Sequence, residues 1–267
     1  MRIKITLKLE GKNQLLPLNY HYFLSAAIYN LLGFGKPEFG EFLHNKGYKV
    51  KNKNYKLFTF ALRVQKFQIV EDFMKLTEPE AHLFVSSPLI DDFFTGIIIG
   101  SLKTQSIKIK SGHTFIEFSI KQIEKLPLPK FTSSMKFSML SPLVLSTHVV
   151  KDGKLLQYYL RHYDDISVFN QVLNENLKNK FVALYDKEYF GEGIEFYWDE
   201  NSLRKSENNN RRIRKKISIY SGRNKIDVIG NIAPFYLKGD VELIKLGYET
   251  GYGEKNSMGF GMAKVIN

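Results

Sequence analysis

GYGEKNSMGFG, Gly251 to Gly261, followed by Met262-Ala263-Lys264-Val265-Ile266, is the stretch on which the rest of the chain is read. Two Gly-aromatic-Gly units, Gly251-Tyr252-Gly253 and Gly259-Phe260-Gly261, flank five mostly polar residues, and Met262 to Ile266 reads as a short closing strand. Glycine accepts positive φ and has no Cβ, so such a loop can bend sharply and bring backbone N–H groups close to a ligand. Amides in a bent loop bind anions, and Lys255 adds positive charge inside the loop. In a basic chain this points to contact with a phosphate backbone through Gly251, Gly253, Lys255, Gly259 and Gly261. Glycine-rich hairpins are also common structural devices, and spacing alone leaves both readings open.

The charge supports the phosphate reading. The chain has 267 residues, 39 Lys and Arg against 27 Asp and Glu, and a formal net charge of +12. A chain this basic is expected to meet a polyanion, with nucleic acid first. With 43% hydrophobic residues it can bury a core, and its length suits one large domain or two small ones. The absence of cysteine excludes disulfides, thiolate nucleophiles and Cys-ligated zinc, and fits a reducing compartment. The opening MRIKITLKLEG alternates like a strand and does not look like a leader. The longest apolar stretches, such as Phe93 to Ile99, are too short and broken for a bilayer, so a cytoplasmic protein with no membrane contact is expected.

Working back from the loop, Asp240 caps a helix carrying Val241, Ile244 and Tyr248. Strands fit Lys136 to Leu140, Glu195 to Trp198, Arg214 to Tyr220 and Ile226 to Ile232, and Ile166, Phe169, Leu173 and Leu177 predict a helix over 166–180. Leu126 to Lys130, LPLPK, reads as a linker, because alternate prolines disfavour both helix and central strand. Before it, Ile3, Ile5, Leu7 and Leu9 mark an opening strand. Leu24, Ala27, Ile28, Leu31 and Leu32 mark a helix over 20–32, stopped by Gly33 and Gly35. A short helix over 38–45, a Lys/Asn-rich loop over 47–55 and a strand over 57–64 follow. A helix over 91–102 and strands near 107–109 and 114–123 complete that half. Each half runs strand, helix, strands, helix, strand. That order predicts an α+β fold of two tandem ferredoxin-like (RRM-like, βαββαβ) domains, residues 1–125 and 126–267.

Few residues are poised for chemistry. The six histidines, His21, His44, His82, His113, His148 and His162, show neither HxH nor HExxH spacing. The acidic pairs Glu71-Asp72, Asp91-Asp92 and Asp164-Asp165 have no third ligand close in sequence. No metal or cofactor is indicated, and there is no P-loop or GxSxG motif. RRIRKK, Arg211 to Lys216, and the following IYSGRNK, Ile219 to Lys225, crowd basic residues around a predicted strand. Arg211, Arg212, Arg214, Lys215, Lys216, Arg223 and Lys225 are the expected phosphate contacts, which should make binding salt-dependent.

Three blocks carry a family resemblance: LNYHYFLSAAIYNLL (Leu18 to Leu32), EFLHNKG with the following KLFTFAL (Glu41 to Leu62), and LGYETGYGEKNSMGFGMAKV (Leu246 to Val265). With them the chain resembles, over nearly its whole length, the CRISPR-associated endoribonucleases of the sixth Cas protein family, within the RAMP superfamily. The resemblance implies a metal-independent endoribonuclease that cuts precursor CRISPR RNA within its repeats, leaving 2′,3′-cyclic phosphate and 5′-OH ends. It also implies catalytic residues: Tyr29 in the first helix, His44 ending the next, and Lys56 just before a strand. The Lys/Asn-rich loop before Lys56 is somewhat longer than the family pattern, which leaves Lys53 as the alternative lysine. CRISPR repeat RNA is the implied partner, and CRISPR effector subunits and a second copy of the chain are compatible with the family. A catalytically weak RAMP-type subunit that only holds CRISPR RNA is the competing reading. A basic RNA-binding protein of some other ribonucleoprotein would rest on charge alone.

Overall fold

In β1 (Arg2–Glu10) the alternating Ile3, Ile5 and Leu7 are buried, and the strand takes the centre of a sheet. The computed structural model describes residues 1–111, 114–221 and 224–266, so the predicted contact Arg223, like His113, lies outside the described residues. After β1 come β2 (Leu15–Pro17), α1 (Tyr20–Gly35), α2 (Pro37–Asn45), β3 (Tyr48–Val50) and β4 (Lys53–Tyr55). Next are β5 (Thr59–Val64), β6 (Phe67–Val70), β7 (Phe73–Leu76) and β8 (Glu80–Ser86). α3 (Thr95–Thr104), β9 (Ser106–Ser111) and β10 (Thr114–Leu126) complete the first unit. Its main sheet runs β5-β8-β1-β10-β9 and is antiparallel throughout. Setting aside the added β9, the first strand lies between the third and fourth with the second at the edge, which is the ferredoxin-like arrangement. Leu24, Ile28 and Leu31 of α1 and Ile97 of α3 close the core against Ile5, Leu83 and Phe118.

The second unit repeats this plan. β11 (Ser134–Met139), β12 (Ser146–Lys151), β13 (Lys154–Tyr159), α4 (Ile166–Tyr185), β14 (Ile194–Trp198) and α5 (Glu200–Asn208) come first. β15 (Arg214–Ser221), β16 (Asn224–Asn231), β17 (Phe235–Gly239), α6 (Val241–Thr250) and β18 (Ala263–Val265) follow. The sheet order β14-β17-β11-β18 again places first between third and fourth. Two antiparallel ribbons, β12–β13 and β15–β16, are inserted into it. Asp240 caps α6 as its sequence position predicts, its carboxylate accepting from the Glu242 N–H.

Two local expectations are corrected. The first helix does not stop at Gly33 but runs to Gly35. A Cβ on Gly35 would stand 1.9 Å from the Gly96 carbonyl oxygen, so glycine there permits the close crossing of α1 and α3 as well as closing the helix. The stretch over 47–55 is not simply a loop, because β3 and β4 pair as a hairpin through Tyr48–Tyr55, Lys49–Asn54 and Val50–Lys53. Its Lys/Asn content hides a strand pair whose apolar residues, Tyr48, Val50 and Tyr55, pack with Ala183 and Leu184 of α4. Tertiary contact supplies what local composition does not.

The units are joined through specific polar contacts. The buried Arg2 guanidinium donates to the Ala263 and Tyr248 carbonyls, both at 2.8 Å, and lies 3.7 Å from the centre of the Tyr248 ring. The Thr59 hydroxyl donates to the Phe260 carbonyl at 2.8 Å and that of Ser25 to the Ser257 carbonyl at 2.7 Å. Both acceptors belong to the glycine-rich loop, which is thereby clamped onto the first unit. No helix among the described residues is long and apolar enough to cross a membrane.

Candidate active site

Tyr29, His44 and Lys56 meet beside the C-terminal end of α2. Tyr29 sits at the margin of the apolar stripe of α1, not clear of it as the helical spacing alone suggests, and its half-buried ring packs against the first core. It stands edge-on to His44, with centroids 4.9 Å apart, and to Phe58 at 5.6 Å. Burial pushes the phenol up to about 12, with a hydrogen bond to Ser257 opposing the shift, so Tyr29 is a neutral donor at pH 7. His44 occupies the exposed last turn of α2, its Nδ1 2.9 Å from Asn45 Oδ1. The Lys56 Nζ donates to the His44 carbonyl at 2.8 Å. An ammonium there complements the unpaired carbonyls and negative dipole end of the helix. Burial lowers the Lys56 pKa.

The path of the chain explains how Lys56 reaches that point. Leu57 is buried in the left-handed region, with φ of 52°, rare for a branched side chain. Its carbonyl accepts from the Ser87 hydroxyl at 2.8 Å, and its side chain packs with Tyr55 and Ala183. The kink separates the hairpin from β5 and lets Lys56 reach back over α2. Gly47, also left-handed at φ 65°, makes room: a Cβ would stand 2.7 Å from the Tyr55 carbonyl oxygen and 2.8 Å from Lys56 Cδ. Gly47→Ala is expected to cost about 1–2 kcal/mol from backbone conformation alone, read as a lower urea midpoint at unchanged slope. An unchanged midpoint would contradict this account of Gly47.

Lys53, the alternative lysine, points elsewhere. Its Nζ lies 3.2 Å from Glu254 Oε1, and Glu254 also accepts from the Ser146 hydroxyl. Among the three predicted side chains and this alternative, the structure therefore brings Tyr29, His44 and Lys56 together and ties Lys53 to the loop.

The glycine-rich loop departs from the expected open phosphate cradle. Gly251, Gly253, Gly259 and Gly261 are all buried with positive φ, and Tyr252 and Phe260 are fully buried. The Tyr252, Glu254 and Gly261 N–H groups donate inward, to the Gly261, Val144 and Pro142 carbonyls. A Cβ on Gly253 would stand 2.2 Å from the Val144 carbonyl oxygen, and one on Gly259 would stand 2.5 Å from the Phe60 ring. The glycines thus thread the loop between the two units, and Glu254, Lys255, Ser257 and Met258 are its partly exposed members. A cleft of about 600 Å³ opens beside it, its basic lining made of Lys53, Lys56, His148, Lys180 and Lys255.

The basic segment is exposed as predicted at Arg211, Arg212, Arg214, Lys215, Lys216 and Lys225. Ile217, Ile219 and Val228 seat the β15–β16 ribbon on Val144 and Phe260, and the Ser218 N–H donates to Asn19 Oδ1 at 3.0 Å. Lys216 pairs with Asp227 at 3.2 Å, and Arg214 donates to the Tyr163 hydroxyl at 3.1 Å. Arg212, Arg214, Lys216 and His162 also line a second cleft of about 480 Å³. His21 is buried between Tyr20 and Phe260, with centroids 4.3 and 5.3 Å away, and burial pulls its pKa down to about 3. It is a neutral packing group.

Sequence reasoning missed Gly47, Ser257 and the buried Lys180 of α4. Ser257 carries no local signal. Lys180 does, because it falls three residues after Leu177 and seven after Leu173 on the apolar face of its helix.

A tandem ferredoxin-like chain with a polar cluster at the loop between its units and a basic ribbon beside it has the layout of an RNA-handling protein. The comparisons agree. The family described as CRISPR-associated protein Cas6, N-terminal, matches residues 15–124, and that described as CRISPR associated protein Cas6, C-terminal, matches residues 126–265. The chain is 31% identical over 268 residues to the CRISPR-associated endoribonuclease Cas6 1 of Methanocaldococcus jannaschii, covering 100% of this chain and 92% of that one. It is 27% identical to the CRISPR-associated endoribonuclease Cas6 of Pyrococcus furiosus, covering 99% and 90%. A solved structure titled CRISPR associated protein Cas6 superposes with a TM-score of 0.75 at 29% identity, covering 100% and 99% of the two chains. The chain belongs to the Cas6 family.

Proposed function

We propose that this protein is a metal-independent endoribonuclease that cuts precursor CRISPR RNA within its repeats by attack of the 2′-OH. The products are 2′,3′-cyclic phosphate and 5′-OH ends. The names of its full-length relatives support an RNA endonuclease. The observation that carries the mechanism is the convergence of Tyr29, His44 and Lys56 on an accessible surface next to the loop joining the units. In this reading residues 1–125 form the catalytic unit and residues 126–267 supply the loop and the RNA-binding ribbon.

RNA carries its own nucleophile, so the enzyme has to align the 2′-OH with the scissile P–O bond, move two protons and stabilise the phosphorane. His44, exposed at the end of α2, takes the 2′-OH proton. Tyr29, held protonated by burial, orients that hydroxyl by hydrogen bonding and does not act as base. Lys56 neutralises charge on the phosphate oxygens and passes a proton to the departing 5′ oxygen, a transfer that its burial eases.

The exposed basic ribbon is assigned to the RNA backbone, with Lys255 as the loop's own cationic contact. Arg214→Ala with Lys216→Ala is expected to weaken binding to unrelated repeat sequences by similar factors. The slope of log K against log salt should flatten by ~0.7 for each phosphate contact removed on a single strand. An unchanged slope would take the ribbon out of the binding surface.

The deciding experiment is a cleavage assay on the host repeat RNA in excess EDTA, run beside the same RNA with a 2′-deoxy at the scissile nucleotide. Cutting of the all-ribose strand alone, at one site, is the expected result. Tight specific binding without cutting would replace the enzyme by an RNA-holding subunit.

A further inference from the structure

Lys180 is only 2% exposed, on the face of α4 that otherwise presents Phe169, Leu173 and Leu177 to the second core. Its Nζ donates to the Gly251 carbonyl at 2.6 Å and the Gly253 carbonyl at 2.8 Å. Burying an ammonium is costly, and its environment pulls Lys180 down to about 7, against the charge of Glu254 in the same loop. A leucine or methionine would continue the apolar face at lower cost. What the lysine adds is the pair of hydrogen bonds, which hold the first turn of the glycine-rich loop against α4.

That turn is mechanically connected to the cluster. Three residues beyond Glu254 the same loop places Ser257, whose carbonyl accepts from the hydroxyl of Ser25, one turn before Tyr29 on α1, at 2.7 Å, and whose side chain opposes the burial-raised pKa of Tyr29. Between them, the Asn256 side-chain amide donates to the Tyr252 carbonyl at 3.3 Å and to the Phe260 carbonyl at 3.0 Å, closing the loop on itself. Hydrogen bonds thus tie the loop together between Lys180 at one end and the helix that carries Tyr29 at the other.

We propose that Lys180 is a positioning residue for RNA cleavage, fixing the glycine-rich loop so that Ser257 holds the Tyr29 phenol in line with the 2′-OH. The inference rests on the cleavage reading above. A neutral amine keeps two N–H donors, so both carbonyl contacts survive loss of the charge, whereas methionine removes them at any pH.

The test compares wild type, Lys180→Met, Ser257→Ala, the double variant, and Leu203→Ala, which opens a cavity in the same core away from the loop. Lys180→Met is expected to slow single-turnover cleavage on the order of 10–10²-fold, the cost of a misplacement of about 1 Å, while the Kd for repeat RNA stays within about threefold. Ser257→Ala should lose a similar factor, and the double variant should be no slower than the slower single, because both act on Tyr29. Hydrogen exchange at the Tyr252 and Glu254 amides should speed up in Lys180→Met and not in Leu203→Ala. Unchanged exchange, a rate loss matched by Leu203→Ala at equal thermal destabilisation, or additive losses in the double variant would each overturn the proposal. A wild-type protein that binds repeat RNA without cutting it would instead remove the cleavage reading, and the positioning role with it.

Discussion

Replacing His44 by alanine should slow single-turnover cleavage of repeat RNA by about 10²–10⁴-fold, the range for removing a general acid or base. His44 is exposed in the last turn of α2, so truncation leaves no cavity, and thermal stability should barely change. Its imidazole stands against the Tyr29 ring, while its backbone carbonyl, which the substitution keeps, remains the acceptor for Lys56. The two neighbours should therefore hold their places, and the lost rate would report proton transfer. The measurement is the single-turnover rate together with RNA affinity. A slow variant with unchanged Kd supports the role. A variant that cuts at the wild-type rate ends the assignment of His44, and one that loses affinity in proportion to rate would make His44 a binding residue.

Lys56→Met should lower the rate by about 10²–10³-fold, the scale for losing a preorganised charge at a developing oxyanion. Methionine keeps the length of the stem that lies along Gly47, so the change removes chiefly the ammonium. The pH profile provides an independent signature. Burial depresses the Lys56 pKa, so its charge is present below that lowered value and lost as pH rises through it. Wild-type cleavage should accordingly fall on an alkaline limb that Lys56→Met lacks. Lys56→Arg should recover part of the rate and move the limb beyond reach, because guanidinium does not titrate there. The same limb in wild type and Lys56→Met would assign it to another group. Lys53→Met serves as the matched control: it breaks the ion pair with Glu254 and should leave the limb in place.

The expected and observed structures agree where periodicity is strong and depart where a residue's role depends on distant parts of the chain. The alternation in β1, the helical stripes of α1 and α4 and the Asp240 cap are local patterns. Each follows from side chains that must share a face before any partner is known. Tyr29, His44 and Lys56 could be named from the motifs that carry the family resemblance, in an order of elements that the ferredoxin-like plan folds back to one place. The choice between Lys56 and Lys53 was not local. It depends on Leu57 accepting a left-handed backbone inside a packed cluster, and a leucine in a sequence does not announce that conformation.

The glycine-rich loop shows the same division. Its glycines signalled tight backbone in the sequence, and the backbone is tight. Whether they face a ligand or the protein is decided by what lies within van der Waals distance. Here that is Val144 in one unit and Phe60 in the other, so the glycines are buried. By itself the sequence determined the two α+β units and the basic surface, because propensity, patterning and charge act over a few residues, and its resemblance to a known family named the three candidate side chains. Only the tertiary structure decided which lysine stands at His44, that Ser257 touches Tyr29, and that Lys180 is buried under the loop. Those facts arise where separate elements of the chain pack together, and no short-range pattern encodes such a meeting.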